Sequence, residues 1–302
     1  MNKIIVITGP TGVGKTKASI ELAKIYNGEI INADSMQIYK DLNIGTAKIT
    51  EEEKENIKHH LFDIKNVFDE YSIYDYQKDC RIVIDDIIKR NKTPILVGGT
   101  GLYIKSVLYD YKLDYNHNIN NYDNLSTNEL YDKLISIDKE IEGKIDKHNR
   151  RRLINAINYY EKNKTSIINN KTNELLYDTI FIGLTTDRSN LYSIINNRVD
   201  KMINNGLIEE VKTFYQNNVR TKPLSGGIGY KELYQYFDNE ISLDEAIELI
   251  KKNSRKYAKR QYTFFNHQIP VVWFKTDYDN FDNTINEICN YIDKENNKWR
   301  KK

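Results

Sequence analysis

One stretch near the N-terminus, residues 9–16, constrains the fold of this chain more than any other feature. Its sequence, GPTGVGKT, fits the phosphate-loop pattern G-x-x-x-x-G-K-[ST] in full. The largely apolar residues 3–8 before it predict a buried parallel strand, and residues at helical spacing follow it as far as Tyr26. Strand, loop and helix together predict an α/β fold that binds a di- or triphosphate at the loop.

Each residue type in this loop has a physical role in holding an anion. Glycines allow the backbone to turn its N–H groups toward anionic oxygens, and the following helix adds the positive end of its dipole. Lys15 supplies a positive charge for terminal phosphate oxygens, and the Thr16 hydroxyl can bind Mg²⁺. The predicted phosphate-binding residues are Gly9, Pro10, Thr11, Gly12, Val13, Gly14, Lys15 and Thr16.

Composition and charge are those of an ordinary globular chain. Hydrophobic residues make up 39% and charged residues 29%, and the net charge of +2 is too small to predict a nucleic-acid partner by itself. The two cysteines, Cys80 and Cys289, lack zinc-site spacing and favour a reduced, cytosolic setting. We expect no signal peptide, and no apolar run approaches the roughly 18 residues of a membrane span.

Two further predicted strands end in residues that we expect beside the phosphate loop. Residues 29–33 predict a strand followed by Asp34, and residues 94–97 predict a strand followed by Gly98, Gly99 and Thr100. Ligands of open parallel sheets bind beyond the carboxyl ends of the strands. From its position alone, Asp34 is a metal ligand, a general base or a helix cap. The two glycines keep the backbone slim, which we interpret as room for a large ligand.

The middle of the chain differs in character from its flanks. Residues 111–177 are rich in Asn, Lys, Asp and Tyr, lack strand-like runs and carry apolar residues at helical spacing. They predict a helical insertion domain between residues 1–110 and 178–302, which together form the sheet-containing core. A basic cluster at residues 147–152 is either a phosphate grip or a solvated turn.

Cations recur on one helix predicted near the C-terminus, over residues 244–266. They fall in pairs spaced four apart, which places six positive charges on one face. The pairs are Lys251 and Lys252, Arg255 and Lys256, and Lys259 and Arg260. Contact with an extended anionic partner is favoured over a solvated face, because like charges at this spacing repel one another.

Three other polar segments have simpler interpretations. Adjacent side chains point in different directions on a regular element, so His59 and His60 are expected as hydrogen-bonded structural imidazoles rather than ligands of one metal. The acidic residues 51–53 predict the start of a solvated helix. The glycine-rich residues 224–231 follow no strand, so they predict a helix connection or, more weakly, a second phosphate loop.

Nine motifs, read together, resemble one enzyme family. They occupy residues 9–16, 34–39, 45–48, 59–63, 96–103, 149–153, 206–211, 228–232 and 254–261. In type and order they are similar to those of the tRNA dimethylallyltransferases, also called tRNA isopentenyltransferases, across nearly the whole chain. The chain departs from the family pattern at Asn155, where the family often has Arg, and at Gly226 and Gly227. The fold implied is a P-loop parallel sheet core flanked by helices, with a helical insertion domain.

The resemblance implies a prenyl transfer reaction. A dimethylallyl group would move from dimethylallyl diphosphate to the exocyclic amine of the adenosine directly 3′ of the anticodon, in tRNAs reading codons that begin with U. Lys15 and a Mg²⁺ cofactor bound by Thr16 would neutralise charge on the departing diphosphate. By the same resemblance, Asp34 is the general base or orients the amine, and Thr100 contacts the adenosine or the diphosphate.

The resemblance also implies the partner, the anticodon stem-loop of tRNA, which the insertion would clasp from one side. The target adenosine must leave its stack to reach the protein. The implied tRNA contacts are Asp34, Ser35, Met36, Gln37, Thr100, Arg151, Arg152, Arg255 and Lys259. We expect a cytoplasmic monomer that makes no membrane contact.

Two other functions compete with prenyl transfer. A small-molecule kinase of the phosphate-loop class would require phosphoryl transfer from ATP and an arginine-bearing lid. The strand before Gly98 lacks the terminal Asp that helps many such enzymes hold Mg²⁺, so the sequence disfavours this alternative. A non-catalytic, nucleotide-gated RNA-binding protein would bind tRNA without modifying it.

Overall fold

The computed structural model of the protein describes residues 3–111 and 120–299, and these divide into two compact units. The larger unit comprises the described parts of Met1–Val107 and Tyr177–Lys302, and the smaller one lies within Leu108–Leu176. The sequence places the insertion at residues 111–177, close to these bounds. None of the helices in the described ranges has the length and apolar character needed to cross a membrane.

A six-stranded parallel sheet forms the centre of the larger unit. Its six strands are β1 Ile4–Thr8, β2 Gly28–Asn32, β3 His59–His60, β4 Thr93–Val97, β7 Thr179–Thr185 and β8 Val272–Lys275; β5 Tyr109–Tyr111 and β6 Lys171–Leu175 form a separate pair. The large sheet has the order β3-β2-β4-β1-β7-β8, and each neighbouring pair runs in parallel. This architecture confirms the predicted α/β fold with a parallel sheet.

Helices flank the sheet and form much of the smaller unit. They are α1 Lys15–Ile25, α2 Ile73–Lys89, α3 Gly101–Leu108, α4 Thr127–Ile137, α5 Arg150–Asn163, α6 Arg188–Asn204, α7 Leu207–Gln216, α8 Lys222–Gly226, α9 Tyr230–Phe237, α10 Leu243–Gln268 and α11 Phe281–Trp299. Short 3₁₀ turns occupy Lys139–Ile141 and Ile167–Asn170. Ser72, Ser126 and Ser242 begin α2, α4 and α10 with reciprocal capping boxes, which fixes where these helices start.

The core explains why β1 carries the phosphate loop rigidly. Every residue of β1 is buried, because β4 and β7 pair with its two edges and helices cover both faces of the sheet. Ile7 is fully buried in this core, next to the loop. Truncating Ile7 to Ala would cost about 3 kcal/mol, since the surrounding side chains can close the cavity only in part.

Two local predictions are wrong. The smaller unit contains an antiparallel pair, β5 with β6, although the sequence shows no strand-like run at β6. Pairing with β5, and not a local sequence pattern, determines that β6 is a strand. Residues 51–56 form successive turns instead of a helix start. Glu55 and Asn56 adopt φ values of 47° and 61°, which interrupt any helix.

The smaller unit has a helical core of its own. Leu130 and Leu134 of α4 pack with Leu153 and Ile157 of α5, and all four are fully buried. This packing agrees with the helical periodicity predicted for the segment. Residues 112–119, at its beginning, lie outside the described part of the chain.

Candidate functional site

A cavity of about 410 Å³ lies in the larger unit at the carboxyl end of the sheet. Its walls come from the phosphate loop, the turn after β2, the end of β4, α6, α10 and the connection between α8 and α9. Its charged lining residues are Lys15, Arg198, Lys231, Arg260 and a single carboxylate, Asp34. Four cations against one carboxylate make this cavity suited to an anionic ligand. Its volume lies within the usual range for small-molecule sites.

Glycines shape the phosphate loop as the sequence predicts. Gly9, Gly12 and Gly14 have φ values of 135°, 86° and 90°, conformations that residues with a Cβ rarely adopt. A Cβ on Gly9 would also lie 2.4 Å from the Leu184 carbonyl oxygen. Of the predicted phosphate-binding residues, Thr11, Lys15 and Thr16 line the cavity. The others set the path of the backbone.

Lys15 is held in an environment that disfavours its charge. Its Nζ donates to the Pro10 carbonyl oxygen at 2.6 Å. Removal from bulk water, followed by repulsion from Arg198, lowers the pKa of Lys15 to about 7, although the nearby Asp34 acts in the opposite direction. An anion bound between the two cations would restore the protonated ammonium. We therefore expect anion binding in this cavity to favour the protonated form of Lys15.

Arg198 is the cavity residue that the sequence interpretation missed. It lies on α6, makes no hydrogen bond or ion pair within residues 3–111 and 120–299, and has its pKa lowered by burial, with Asp34 and Glu53 opposing. A signal was present in the sequence, because Ile194 and Met202 flank Arg198 at helical spacing. An arginine on the apolar face of a helix is a candidate for a buried anion contact.

Asp34 begins a turn and does not cap a helix. Its Oδ1 accepts from the Met36 backbone N–H at 2.9 Å, and the chain continues as turns up to Leu42. The helix-cap interpretation is therefore wrong. The Asn32 side chain fixes the start of this turn by accepting from the Asp34 N–H at 2.9 Å and donating to the Leu61 carbonyl oxygen at 3.0 Å. Asp34 Oδ2 makes no hydrogen bond to any described residue and is available to a ligand.

Thr100 stands behind the Asp34 turn. Its hydroxyl accepts from the Ser35 backbone N–H at 3.1 Å, and its own N–H donates to the Ala33 carbonyl oxygen at 3.1 Å. The structure thus ties the end of β4 to the turn after β2, as expected for two neighbouring strand ends. Ser35, Met36 and the turn they belong to line the cavity, whereas Thr100 is not among the lining residues.

The space that a Cβ would take at Gly98 and Gly99 is filled by the protein itself. A Cβ on Gly98 would lie 2.2 Å from the Ala33 carbonyl oxygen, and one on Gly99 would lie 2.0 Å from Gln261 Nε2. The slim backbone therefore serves close packing of the chain, while both glycines also line the cavity, so room there for a large ligand stays a prediction. Gln261 Nε2 donates to the Gly99 carbonyl oxygen at 3.1 Å.

Two α10 residues at the cavity also escaped the sequence interpretation. Tyr257 is half-buried, and burial followed by the charge of Asp34 raises its pKa to about 12. Gln261 is 5% exposed, and its Oε1 is buried without a partner among the described residues. The sequence predicts both only as members of a mainly cationic helix, although Tyr257 and Gln261 lie four residues apart on one face.

The cationic face predicted on α10 is partly neutralised. Lys251 binds Asp200 at 2.9 Å and Glu248 at 3.0 Å, and Arg255 Nη1 donates to the Asn196 side chain. Lys259 is exposed and, within the described residues, forms no ion pair. The predicted tRNA contacts Arg255 and Lys259 therefore differ, because only Lys259 presents its charge openly to solvent.

The basic cluster of the smaller unit divides in a similar way. Arg150 donates to the backbone carbonyl oxygens of Leu125 and, at 2.7 Å, Tyr122, so it holds this unit together. Arg151 and Arg152 are exposed in the first turn of α5. These are the two arginines that the sequence predicts as tRNA contacts, and their exposure is compatible with that role.

The adjacent histidines are both hydrogen-bonded, as expected, and His59 also lines the cavity. His59 Nδ1 lies 2.8 Å from the Ile57 carbonyl oxygen, and His60 Nε2 lies 2.7 Å from Glu29 Oε2. The described residues contain no cluster of three or more His, Cys, Asp or Glu that could hold a metal. The predicted Mg²⁺ therefore depends on Thr16 and on the ligand.

The connection between α8 and α9 lines the cavity opposite the Asp34 turn. Gly227 is buried, and a Cβ there would lie 2.7 Å from the Pro223 carbonyl oxygen and 2.8 Å from Met36 Cε. The connection therefore packs close against Met36 at this glycine. The helix-connection interpretation is confirmed, since α8 precedes this segment and no strand does.

Fold and site define this chain as an α/β protein with a phosphate loop that opens into a cationic cavity. Comparisons with known proteins narrow the class. The family model described as IPP transferase matches residues 37–268. The chain belongs to the IPP transferase family, as its motifs predict.

Relatives and solved structures support this assignment over the full chain. The chain is 50% identical over 302 residues to the tRNA dimethylallyltransferase of Anoxybacillus flavithermus, covering 96% of each protein. It resembles the full-length tRNA isopentenylpyrophosphate transferase of Bacillus halodurans with a TM-score of 0.77 and 40% identity, covering 100% of each chain. A eukaryotic dimethylallyltransferase acting on tRNA superposes with a TM-score of 0.81 at 31% identity, over 90% of this chain and 74% of that one.

Proposed function

We propose that this protein is a tRNA prenyltransferase. It transfers the dimethylallyl group of dimethylallyl diphosphate to the exocyclic amine of the adenosine directly 3′ of the anticodon, in tRNAs that read codons beginning with U. The relatives are named for this reaction, and none of those cited is named as a kinase. One observation carries the proposal: Lys15 and Arg198 line the same cavity as Asp34, and burial lowers the pKa of both cations.

The diphosphate of the donor is assigned to the cationic end of the cavity. Backbone N–H groups of the phosphate loop, Lys15 and Arg198 surround this position, and α1 directs the positive end of its dipole toward it. As the bond between the allylic carbon and oxygen breaks, both electrons leave with the diphosphate. Lys15 and Arg198 stabilise that growing charge, which favours the transition state over the bound substrate.

The adenosine amine is assigned to the Asp34 side of the cavity. Its lone pair forms the new carbon–nitrogen bond, and the nitrogen then loses one proton to the free Oδ2 of Asp34. An aryl amine is a weak nucleophile because its lone pair is conjugated with the ring, so alignment contributes more than base strength. Thr100 supports this step indirectly. Its hydroxyl accepts a hydrogen bond from the Ser35 N–H, which fixes the turn that carries Asp34.

A Mg²⁺ ion fits the proposed donor complex. Thr16 is exposed at the first turn of α1 and lines the cavity, so its hydroxyl would be the protein ligand. Mg²⁺ commonly binds through few protein oxygens, with phosphate oxygens and water completing its shell. When bound, it would neutralise part of the diphosphate charge.

Contacts with the tRNA backbone are assigned to exposed cations. Arg151 and Arg152 of the smaller unit, and Lys259 of α10, present charges that would bind phosphates and orient the anticodon stem-loop. Such contacts carry no sequence information directly, so base recognition falls to residues lining the cavity, including Met36 and Gln37. Location in the cytoplasm and a monomeric state stay predictions.

Mass spectrometry of tRNA nucleosides tests this function. The protein is incubated with unmodified tRNA, Mg²⁺ and dimethylallyl diphosphate, with Lys15→Ala as the inactive control. We expect one adenosine next to the anticodon to gain a single dimethylallyl group, with release of diphosphate. Transfer of phosphate from ATP to a small molecule, with no prenylated nucleoside, would instead establish the kinase alternative. Binding of tRNA without any product would establish the non-catalytic one.

A further inference from the structure

The segment that joins β8 to α11, residues 276–281, ends with Phe281, the first residue of α11. It contacts the phosphate loop, and none of its residues lines the cavity. Thr276 is 4% exposed, and its hydroxyl donates to the Val13 carbonyl oxygen at 2.8 Å. Tyr278 donates to the Gly12 carbonyl oxygen at 3.4 Å. The ring of Phe281 lies against Gly14, where a Cβ would be 2.8 Å from Phe281 Cε2. Three residues of one connection thus contact three consecutive residues of the loop.

The Thr276 bond fixes one peptide group of the loop. The Val13 carbonyl and the Gly14 N–H belong to the same peptide group, and the described chain contains no cis peptide bond. In a trans peptide the C=O and N–H point in opposite directions. Thr276 holds the carbonyl from outside, so the Gly14 N–H is directed away from Thr276, as an anion-binding loop requires.

This restraint acts on the peptide group itself, in addition to the burial of the Val13 side chain in the core. Val13 lies between Gly12 and Gly14, whose φ values of 86° and 90° come from residues with few steric limits. Rotation of the intervening peptide group would turn the N–H away from an anion. Ordering this peptide group on binding would cost conformational entropy. A peptide group that is already fixed avoids that cost, so the ligand binds more tightly.

Thr276 is itself held by the sheet. Its backbone N–H donates to the Thr185 carbonyl oxygen at 2.9 Å, directly after β8 pairs with β7. The next residue is also held, because the Asp277 N–H donates to the Thr284 hydroxyl at 2.9 Å. The hydroxyl that binds the loop is therefore held in place by the sheet and by α11. Thr276 also lies outside residues 37–268, which the family model matches.

We propose that Thr276 is a positioning residue for the diphosphate: its hydroxyl orients the Val13–Gly14 peptide group so that the N–H meets the ligand. This inference rests on the proposed function, since it takes diphosphate as the ligand of the loop. It assigns a binding role to a residue that contacts no substrate itself.

Thr276→Val removes the hydroxyl and keeps the shape of the side chain. We expect about tenfold weaker binding of inorganic pyrophosphate with Mg²⁺ by calorimetry, because a buried carbonyl loses its partner and the loop its restraint. KM for dimethylallyl diphosphate should rise by a similar factor, with a smaller change in kcat. Thr276→Ser keeps the hydroxyl and should restore binding.

Thr93→Val is the matched control. Thr93 also donates its hydroxyl to a backbone carbonyl oxygen at 2.8 Å, that of Tyr26, at the other end of α1. This variant should lose similar stability in thermal unfolding yet bind pyrophosphate like wild type. Wild-type affinity in Thr276→Val, or equal weakening in Thr93→Val, would overturn the proposal. Wild-type protein that neither binds pyrophosphate nor modifies tRNA would instead overturn the proposed function.

Discussion

The two ends of strand β2 hold carboxylates in opposite circumstances. At the amino end, Glu29 is 1% exposed and accepts hydrogen bonds from Arg90 and, at 2.9 Å, from Lys92, while His60 lies 2.7 Å away. At the carboxyl end, Asp34 shares a cavity with Lys15 and forms no ion pair with a described residue. The carboxylate at the amino end has ion-pair partners within the protein. The carboxylate at the other end has none among the described residues.

This difference separates stability from function. Hydrogen bonds from Arg90 are the main cause that holds the pKa of Glu29 well below its usual range, so this carboxylate stabilises the fold. At the other end, burial and Arg198 lower the pKa of Lys15 to about 7, so the environment disfavours the charged form of this side chain. Perturbed groups without a compensating partner are characteristic of binding sites. The comparison predicts that substitutions at the two ends affect different measurements.

Lys15→Ala should give the largest effect on catalysis. Removing a cation that stabilises the leaving diphosphate should lower kcat/KM by about 10³-fold in single-turnover transfer to tRNA. Thermal stability should be unchanged or slightly higher, because a desolvated charge is lost. Lys92→Ala is the control at the amino end of β2. It should lower thermal stability and leave kcat/KM unchanged. A loss of activity in Lys92→Ala equal to that of Lys15→Ala would erase the distinction.

Asp34→Asn should lower the rate of the chemical step. The amide still accepts from the Met36 N–H, so the turn persists, but the proton from the amine has no base to receive it. We expect kcat to fall by about 10²-fold, with KM for dimethylallyl diphosphate nearly unchanged. Rapid-quench measurement of prenylated tRNA separates the two constants. Transfer at the wild-type rate would exclude Asp34 as base or amine-orienting group.

Glu29→Gln should change stability and leave catalysis intact. Loss of the buried charge leaves Lys92 without this carboxylate and Arg90 with Asp86 as its remaining ion-pair partner, at a cost of about 2 kcal/mol in urea unfolding. Because the pKa of Glu29 is depressed in the folded state, its contribution is present above about pH 4.3, the unfolded value, and is lost as pH falls further. The difference between wild type and variant should therefore shrink in acid. A difference independent of pH would refute this assignment.

The pH dependence of donor capture should be the smallest effect. With a pKa of about 7 in the free protein, Lys15 is mostly neutral at pH 8, so kcat/KM for dimethylallyl diphosphate should be about tenfold lower than at pH 6. Lys15→Arg keeps its charge throughout this range and should flatten the profile at a lower overall rate. A profile with the same slope in both proteins would assign the ionisation to another group.

The sequence was informative where a property depends on neighbouring residues alone. The phosphate loop is contiguous, so its glycines and Lys15 were identified directly, and the rule for parallel strand ends located Asp34. Arg198 and Gln261 reach the cavity through packing of α6 and α10. Helical spacing groups each with the neighbours on its own helix face, but it does not specify which distant residues that face meets. The close packing at Gly98 and Gly99 could not be predicted for the same reason, since the atoms that approach them belong to distant parts of the chain.

Proton uptake on diphosphate binding tests the central claim most directly, namely that Lys15 at the carboxyl end of the sheet becomes fully protonated only when an anion binds beside it. Calorimetric titration with dimethylallyl diphosphate at pH 8, in buffers of different ionisation enthalpy, gives the number of protons taken up. The account predicts uptake approaching about one proton per site in wild type, because the bound anion raises the pKa of Lys15, and none in Lys15→Arg. Tight binding without proton uptake in wild type would contradict it.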